Sequence, residues 1–260
     1  MNPRHPKGLS LLGLLALLPS LSFAQGGDAQ KALLEKIRAG RPRYADVRSI
    51  NATVTWLSDH RLPREGKPAL PLRGLRFEMS FEPGDYPSVN MRLLNPPAGI
   101  SQEDTATAQY EAAGLILPAF EDPFRSLSEF ATVKGARTFV AEGALVYLRP
   151  NAEDVIYNEL RYHTAADATE VDEEKKNPEL LTRKTTYRFQ WQGALCLYAG
   201  ETAPEVEGVY RGIERAVAWQ MVDGTPFPAT FKEISRDQTN DPKAMTLEVA
   251  VSEVRVTRRR

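Results

Sequence analysis

Cysteine, histidine, long apolar runs and excess charge are all scarce in this 260-residue chain, and each scarcity closes off a class of function. Cys196 is the only cysteine. No internal disulfide can form, so the fold must hold by apolar burial. Its neighbours, Ala194, Leu195, Leu197 and Tyr198, read as a buried strand in which the thiol serves as a small hydrophobe. Beyond residue 24 only His60 and His163 remain, each in a polar segment without HExxH or a second ligand at helical spacing. No metal site is expected. GxSxG, P-loop and GxGxxG sequences are also missing, so no catalytic residue, enzyme activity or cofactor is expected. With 33 basic against 34 acidic residues, the chain lacks the positive footprint that nucleic-acid binding requires.

The first 24 residues concentrate the one long apolar run. Arg4 and Lys7 precede it without any acid, the leucine-rich stretch ends near Leu21, and Ser22-Phe23-Ala24 follows. This three-part order is that of a secretory signal peptide, too short in its apolar part to span a bilayer. Cleavage is expected after Ala24, leaving a mature chain that starts at Gln25 and leaves the cytoplasm. No cysteine follows the apolar stretch, which excludes a lipoprotein signal. Arg4 and Lys7 depart with the leader, so 31 basic and 34 acidic residues remain, a balance of −3. Residues 25–260 suit a single domain.

Asp28 to Gly40 reads as a helix, with Asp28 as N-cap, Leu33, Leu34 and Ile37 on one face, and Gly40 as a left-handed cap. The period then becomes two. Ile50, Ala52, Val54 and Trp56 alternate with polar residues, as do Leu75, Phe77, Met79 and Phe81, and then Val89, Met91 and Leu93. These are half-buried antiparallel strands, with Arg76, Glu78 and Glu82 outward. Ser101 to Asp104 resembles a capping box that opens an Ala-rich helix stopped at Pro118, and Asp122-Pro123 opens a second short helix with Phe124, Leu127 and Phe130 on one side. Strands resume at Thr138–Ala141 and Ala144–Leu148. Val155–Tyr162 fits strand or helix, and the charged stretch Ala165–Glu179 reads as a solvated loop. Tyr187, Phe189 and Trp191 mark another strand, and Ile213, Val217, Trp219 and Met221 share one strand face. Asp223-Gly224 turns into Phe227, Ala229 and Phe231. Leu247, Val249 and Val251 lie in one phase and Val254 and Val256 in the other, which predicts a bulge near Ser252-Glu253.

The sheet thus has a surplus of large apolar residues, with two mid-chain helices to cover them. That surplus suits either a packed core or a sheet holding an apolar ligand under a helical lid. ALLEKIRAG followed by SINATVTWL, then GLRFEMSFEPGDYPSVNMRLLNPP, EGALVYLRPNAEDV and VDGTPFPATFKEISRD resemble, in this order, segments of the LolA/LolB/RseB superfamily of periplasmic lipoprotein carriers and their relatives. Glu142-Gly143 stands for the family's Asp-Gly turn, with Tyr147 near its aromatic position. Tyr86 keeps the aromatic after the turn proline, whereas Glu82 replaces the arginine that helps carriers latch the lid.

The resemblance implies an α+β fold: a strongly bent antiparallel sheet, or incomplete barrel, with an N-terminal helix and helices covering the concave side. Residues 101–134 would be a helical insertion. It further implies a monomeric periplasmic binding protein for an acyl chain, lipid or lipoprotein. Trp56, Phe77, Met79, Phe81, Tyr86, Leu115, Leu117, Phe120 and Trp219 would line the apolar cavity or its lid. The alternative is an envelope protein-interaction or sensor module, like the superfamily's regulators, using a sheet edge or the concave face.

Overall fold

The computed structural model describes residues 19–84, 87–124, 127, 135–149, 158–176, 182–204, 206, 211–237 and 241–259. A 12-stranded antiparallel sheet dominates it, with two α-helices among the described residues. Helix α1 (Pro19–Gly40) leads into β1 (Val47–Trp56). A two-stranded hairpin of β2 (Arg61–Leu62) and β3 (Leu70–Pro71) then precedes β4 (Arg76–Glu82) and β5 (Ser88–Leu93). Helix α2 (Gln102–Ile116) and a 3-10 turn (Leu117–Ala119) interrupt the strands. Nine more follow: β6 (Arg137–Ala141), β7 (Ala144–Leu148), β8 (Glu159–Thr164), β9 (Glu170–Lys176), β10 (Thr182–Gln192), β11 (Leu195–Ala203), β12 (Gly212–Val222), β13 (Thr225–Asp237) and β14 (Asp241–Arg258).

From β6 to β14 the chain is a meander, each strand paired with the next. Then β1 pairs with β14, and β4 and β5 extend the sheet beyond it. The sheet is not closed: β5 and β6 are its two edges. Two tight hairpins hold the meander in register. Glu142 and Gly143 (φ 53° and 78°) join β6 to β7, and Asp223 and Gly224 (φ 50° and 75°) join β12 to β13. Both central residues of each turn are left-handed, the type I′ geometry that matches strand twist. The expected bulge lies where the valine phase changes. Asn51 pairs with Arg255 but Thr53 with Ser252, and Glu253 takes φ 53°. Thr53 donates to the Glu253 carboxylate across it at 2.6 Å.

Alternation decides which face is inside. Ile50, Val54 and Trp56 on β1 and Phe77, Met79 and Phe81 on β4 are fully buried, whereas Arg76, Glu78 and Glu82 are exposed. Cross-strand pairs such as Val54 with Phe77 and Ile50 with Phe81 bring these side chains onto one face. Leu34 and Ile37 of α1, Ala108, Ala112, Leu115 and Ile116 of α2, and Phe124 join the same core.

Several expectations are corrected. Helix α1 continues N-terminal to Asp28, which therefore is not its N-cap. Gly40 is not among the left-handed glycines. It serves close approach instead, since a Cβ there would lie 2.8 Å from the Trp191 ring and 2.9 Å from Cys196 Cβ. Ile213, Val217, Trp219 and Met221 do share one phase of β12, although Met221, at its far end, is half exposed. The largest correction concerns Ala165–Glu179, of which 177–179 lie outside the described residues. Its centre is β9, hydrogen-bonded between β8 and β10, with Val171 and Glu173 buried. Charge misled the reading because the inward carboxylate is satisfied by partners remote in sequence. The capping box is formed as expected: Ser101 Oγ accepts from Asp104 N at 3.1 Å, and Asp104 accepts from Ser101 N. Phe124 N donates to Asp122 Oδ1 at 3.0 Å, an N-cap contact; Phe130 and the rest of the expected second helix fall largely outside the described residues.

Candidate functional site

The 3-10 turn that Pro118 imposes on the end of α2 aims Phe120 back at the sheet. Its ring stacks on Phe81 with centroids 4.1 Å apart and planes 23° apart. Phe227 packs against both, at 5.4 Å from Phe120 and 6.3 Å from Phe81. Tyr44, in the turn after α1, meets Phe81 edge-on at 5.4 Å and donates its hydroxyl to Pro226 O at 3.1 Å. Burial pushes the Tyr44 phenol above its ordinary pKa, so it stays a neutral donor. Beside this aromatic cluster opens a cleft of about 390 Å³, lined by Pro42, Tyr44, Phe81, Pro83, Pro87 and Phe120 together with Arg43, Ala45, Gly84 and Arg259. The prolines of this lining present apolar ring surface without an N–H to satisfy.

Of the residues singled out from the sequence, Phe81 and Phe120 meet in this cleft. Trp56, Phe77 and Met79 lie deeper on the same face, fully buried. Leu115 is buried and Leu117 half-buried on the segment facing the sheet, Leu115 beside Val217 and Phe231 around a void of about 10 Å³. Trp219 is half-buried, donates its indole N–H to Tyr198 O at 2.8 Å and does not line this cleft. Tyr86 lies outside the described residues.

Polar contacts fasten the covering segment at both ends. Arg64, in the β2–β3 loop, pairs with Asp104 of the capping box at 3.3 Å. The Ser101 hydroxyl first, then Arg64, hold the Asp104 carboxyl below the usual carboxylate range. At the other end Arg38 pairs with Asp122 at 3.5 Å, and Arg41 Nη2 donates to Glu121 O at 2.5 Å. Gln109 accepts from Leu93 N at 3.1 Å, tying α2 to edge strand β5.

A second, polar cluster lies on the same face of β8–β12, and sequence reasoning missed it. Glu173, 1% exposed, accepts from Tyr162 Oη at 2.5 Å and Tyr187 Oη at 3.0 Å, and pairs with Lys175 Nζ at 3.0 Å. Burial, with the Glu173 charge beside it, pushes the Tyr187 phenol up. Nearby, Arg215 bridges Glu201 and Glu233, each at 2.7 Å. Every charge in this arrangement is offset by a neighbour. The missed signal was the period-two order Val171, Glu173, Lys175 within an otherwise charged run.

Among the described residues, no three His, Cys, Asp or Glu side chains gather to hold a metal ion. No helix among them is long and apolar enough to cross a membrane. Known protein families, curated proteins and solved structures yield no match to this chain.

Proposed function

We propose that this chain is an exported, periplasmic, non-catalytic binding protein for the acyl chain of a lipid or lipoprotein. On this reading the mature chain, 25–260, is one monomeric domain. Its sheet bends, and the helices cover the concave side. The observation that carries the proposal is the aromatic and proline-lined cleft where Phe120 of the covering segment rests on Phe81 of the sheet. A segment held to the sheet by apolar contacts and fastened by a few polar ones is suited to partial displacement by a ligand that replaces those contacts. An acyl chain entering beside Phe81 takes the place of Phe120 and exchanges one apolar surface for another. Burying eight methylenes at ~0.8 kcal/mol each contributes about 6 kcal/mol, from which the displacement of Phe120 and the cost of association are subtracted.

The test is calorimetric titration with a neutral dodecyl amphiphile below its micellar concentration. Micromolar binding that weakens at least fivefold in Phe81→Ala supports the site, whereas no heat of binding in either protein removes the proposal. The superfamily resemblance in segment order supports the same reading.

A second reading is favoured by one specific feature, the sheet edge at β6. Arg137, Thr138 and Phe139 on this strand are all exposed, Phe139 by 43%. An unpaired strand edge with an exposed aromatic suits addition of a partner's strand. A proline at Thr138 that abolishes capture of an envelope protein, with alkyl binding absent, would favour this interaction module.

A further inference from the structure

We infer that the Phe81–Phe120 cleft selects amphiphiles whose head group is an anionic oxygen acid, a carboxylate or a phosphate. The inference rests on the acyl-chain reading and specifies its ligand class. Two arginines, Arg43 from the turn after α1 and Arg259 after β14, line the cleft together with its aromatic and proline rings. Both side chains are exposed, and neither has a carboxylate partner among the described residues. Arg258 is engaged by the Asp46 carboxylate and donates to Asp223 O at 2.7 Å. That contact also occupies Asp46, whose carbonyl in turn accepts from Arg259 N at 2.8 Å and fixes the Arg259 backbone beside the cleft. Glu82, the acid nearest in sequence to Phe81, is on the outward phase of β4. No acidic residue lines the cleft among the described residues.

In a chain whose net charge is −1, Arg43 and Arg259 bring two guanidiniums without a carboxylate partner among the described residues to an apolar cleft. An acyl chain lying against Phe81 in place of Phe120 has its polar end at the cleft mouth, within reach of side chains as long as arginine. A guanidinium presents paired N–H donors that match a carboxylate or phosphate and gain little from a neutral or cationic head. Because both arginines remain solvated, the preference should be modest and salt-sensitive.

The experiment compares ligands of one chain length by calorimetry at low salt: dodecanoate, dodecyl phosphate, a neutral dodecyl glycoside and dodecyltrimethylammonium. The carboxylate and the phosphate arms separate the two sources of anionic head group. The intact protein is expected to bind at least one anion roughly three- to thirty-fold tighter than the glycoside, a range set by two exposed ion pairs. The cation should bind no better than the glycoside. In Arg43→Gln/Arg259→Gln the anionic advantage should vanish while glycoside affinity stays the same. Arg73→Gln, which removes an exposed arginine paired with Asp59 outside the cleft lining, should leave the advantage intact. Equal affinity for all four ligands, or an anionic preference that survives the double substitution, overturns the inference and leaves the acyl-chain reading standing. Failure of every ligand to bind overturns both.

Discussion

Removing the Glu173 carboxylate tests whether the most highly charged strand of the sheet is a structural element in its own right. Glu173→Ala leaves the Tyr162 and Tyr187 hydroxyls, on residues 1% and 7% exposed, without their acceptor. Leaving the buried Tyr187 donor unsatisfied costs about 1–3 kcal/mol, and losing the charge-assisted Tyr162 bond to the carboxylate adds about 1.5–3 kcal/mol. Relief of the carboxylate's own desolvation offsets part of this, and Lys175 retains some exposure through which to rehydrate. The expected net loss is about 2–4 kcal/mol. Glu173→Gln keeps one acceptor oxygen and should lose about half as much. Asp172→Ala, on the outward phase of the same strand, should stay within about 0.5 kcal/mol. Urea unfolding read by far-UV circular dichroism measures this as a lower midpoint at unchanged slope. If Glu173→Ala matches Asp172→Ala, β9 is not an ordered strand and residues 165–176 form a solvated loop.

Three further outcomes follow from the same geometry. Asp104 has its carboxyl pKa lowered by Ser101 and Arg64, so its anchoring of α2 should be complete above about pH 4 and lost as the pH falls through its depressed value. Amide exchange across Gln102–Ile116 should therefore speed up selectively in that acid range, and Asp104→Asn should abolish the selectivity. Cys196 is buried, and burial pushes its thiol up to about 11, so native protein at pH 8 should resist alkylation that goes to completion in denaturant. Gly40→Ala should cost about 1–3 kcal/mol by overpacking against Trp191 and Cys196, read as a lower thermal midpoint.

Where backbone period and side-chain polarity agree, the fold was legible. The alternation of Ile50 to Trp56 and of Leu75 to Phe81, the Asp223-Gly224 turn, the Ser101 capping box and the Glu253 bulge are local signals read with a window of a few residues. The strand β9 was not, because its inward carboxylate depends on tyrosines 11 and 14 residues away. No local pattern states that such a charge is satisfied. Gly40 failed for a related reason, since its role is set by a close approach of β10 and β11 that sequence spacing does not reveal. Pairing of β1 with the last strand, β14, is likewise a long-range outcome. The candidate site was legible in part. Phe81 and Phe120 could be named because both are large apolar residues at informative positions, one in a strand and one just past a helix-stopping proline. Tyr44 and Arg43 escaped notice because they come from the turn after α1, where periodicity carries no information about direction, and Arg259 stood out only as part of the arginine-rich stretch Arg258–Arg260, with no role assigned.

An exported form of this chain is proposed to hold an acyl chain beside Phe81 and Phe120. Native mass spectrometry of protein recovered from a periplasm, followed by organic extraction, tests it most directly. The expected result is a polypeptide beginning at Gln25, with added mass that extraction releases as an acyl-bearing lipid and that Phe81→Ala largely abolishes. A polypeptide of bare mass that also fails to take up a dodecyl amphiphile, or one that retains Met1, would contradict it.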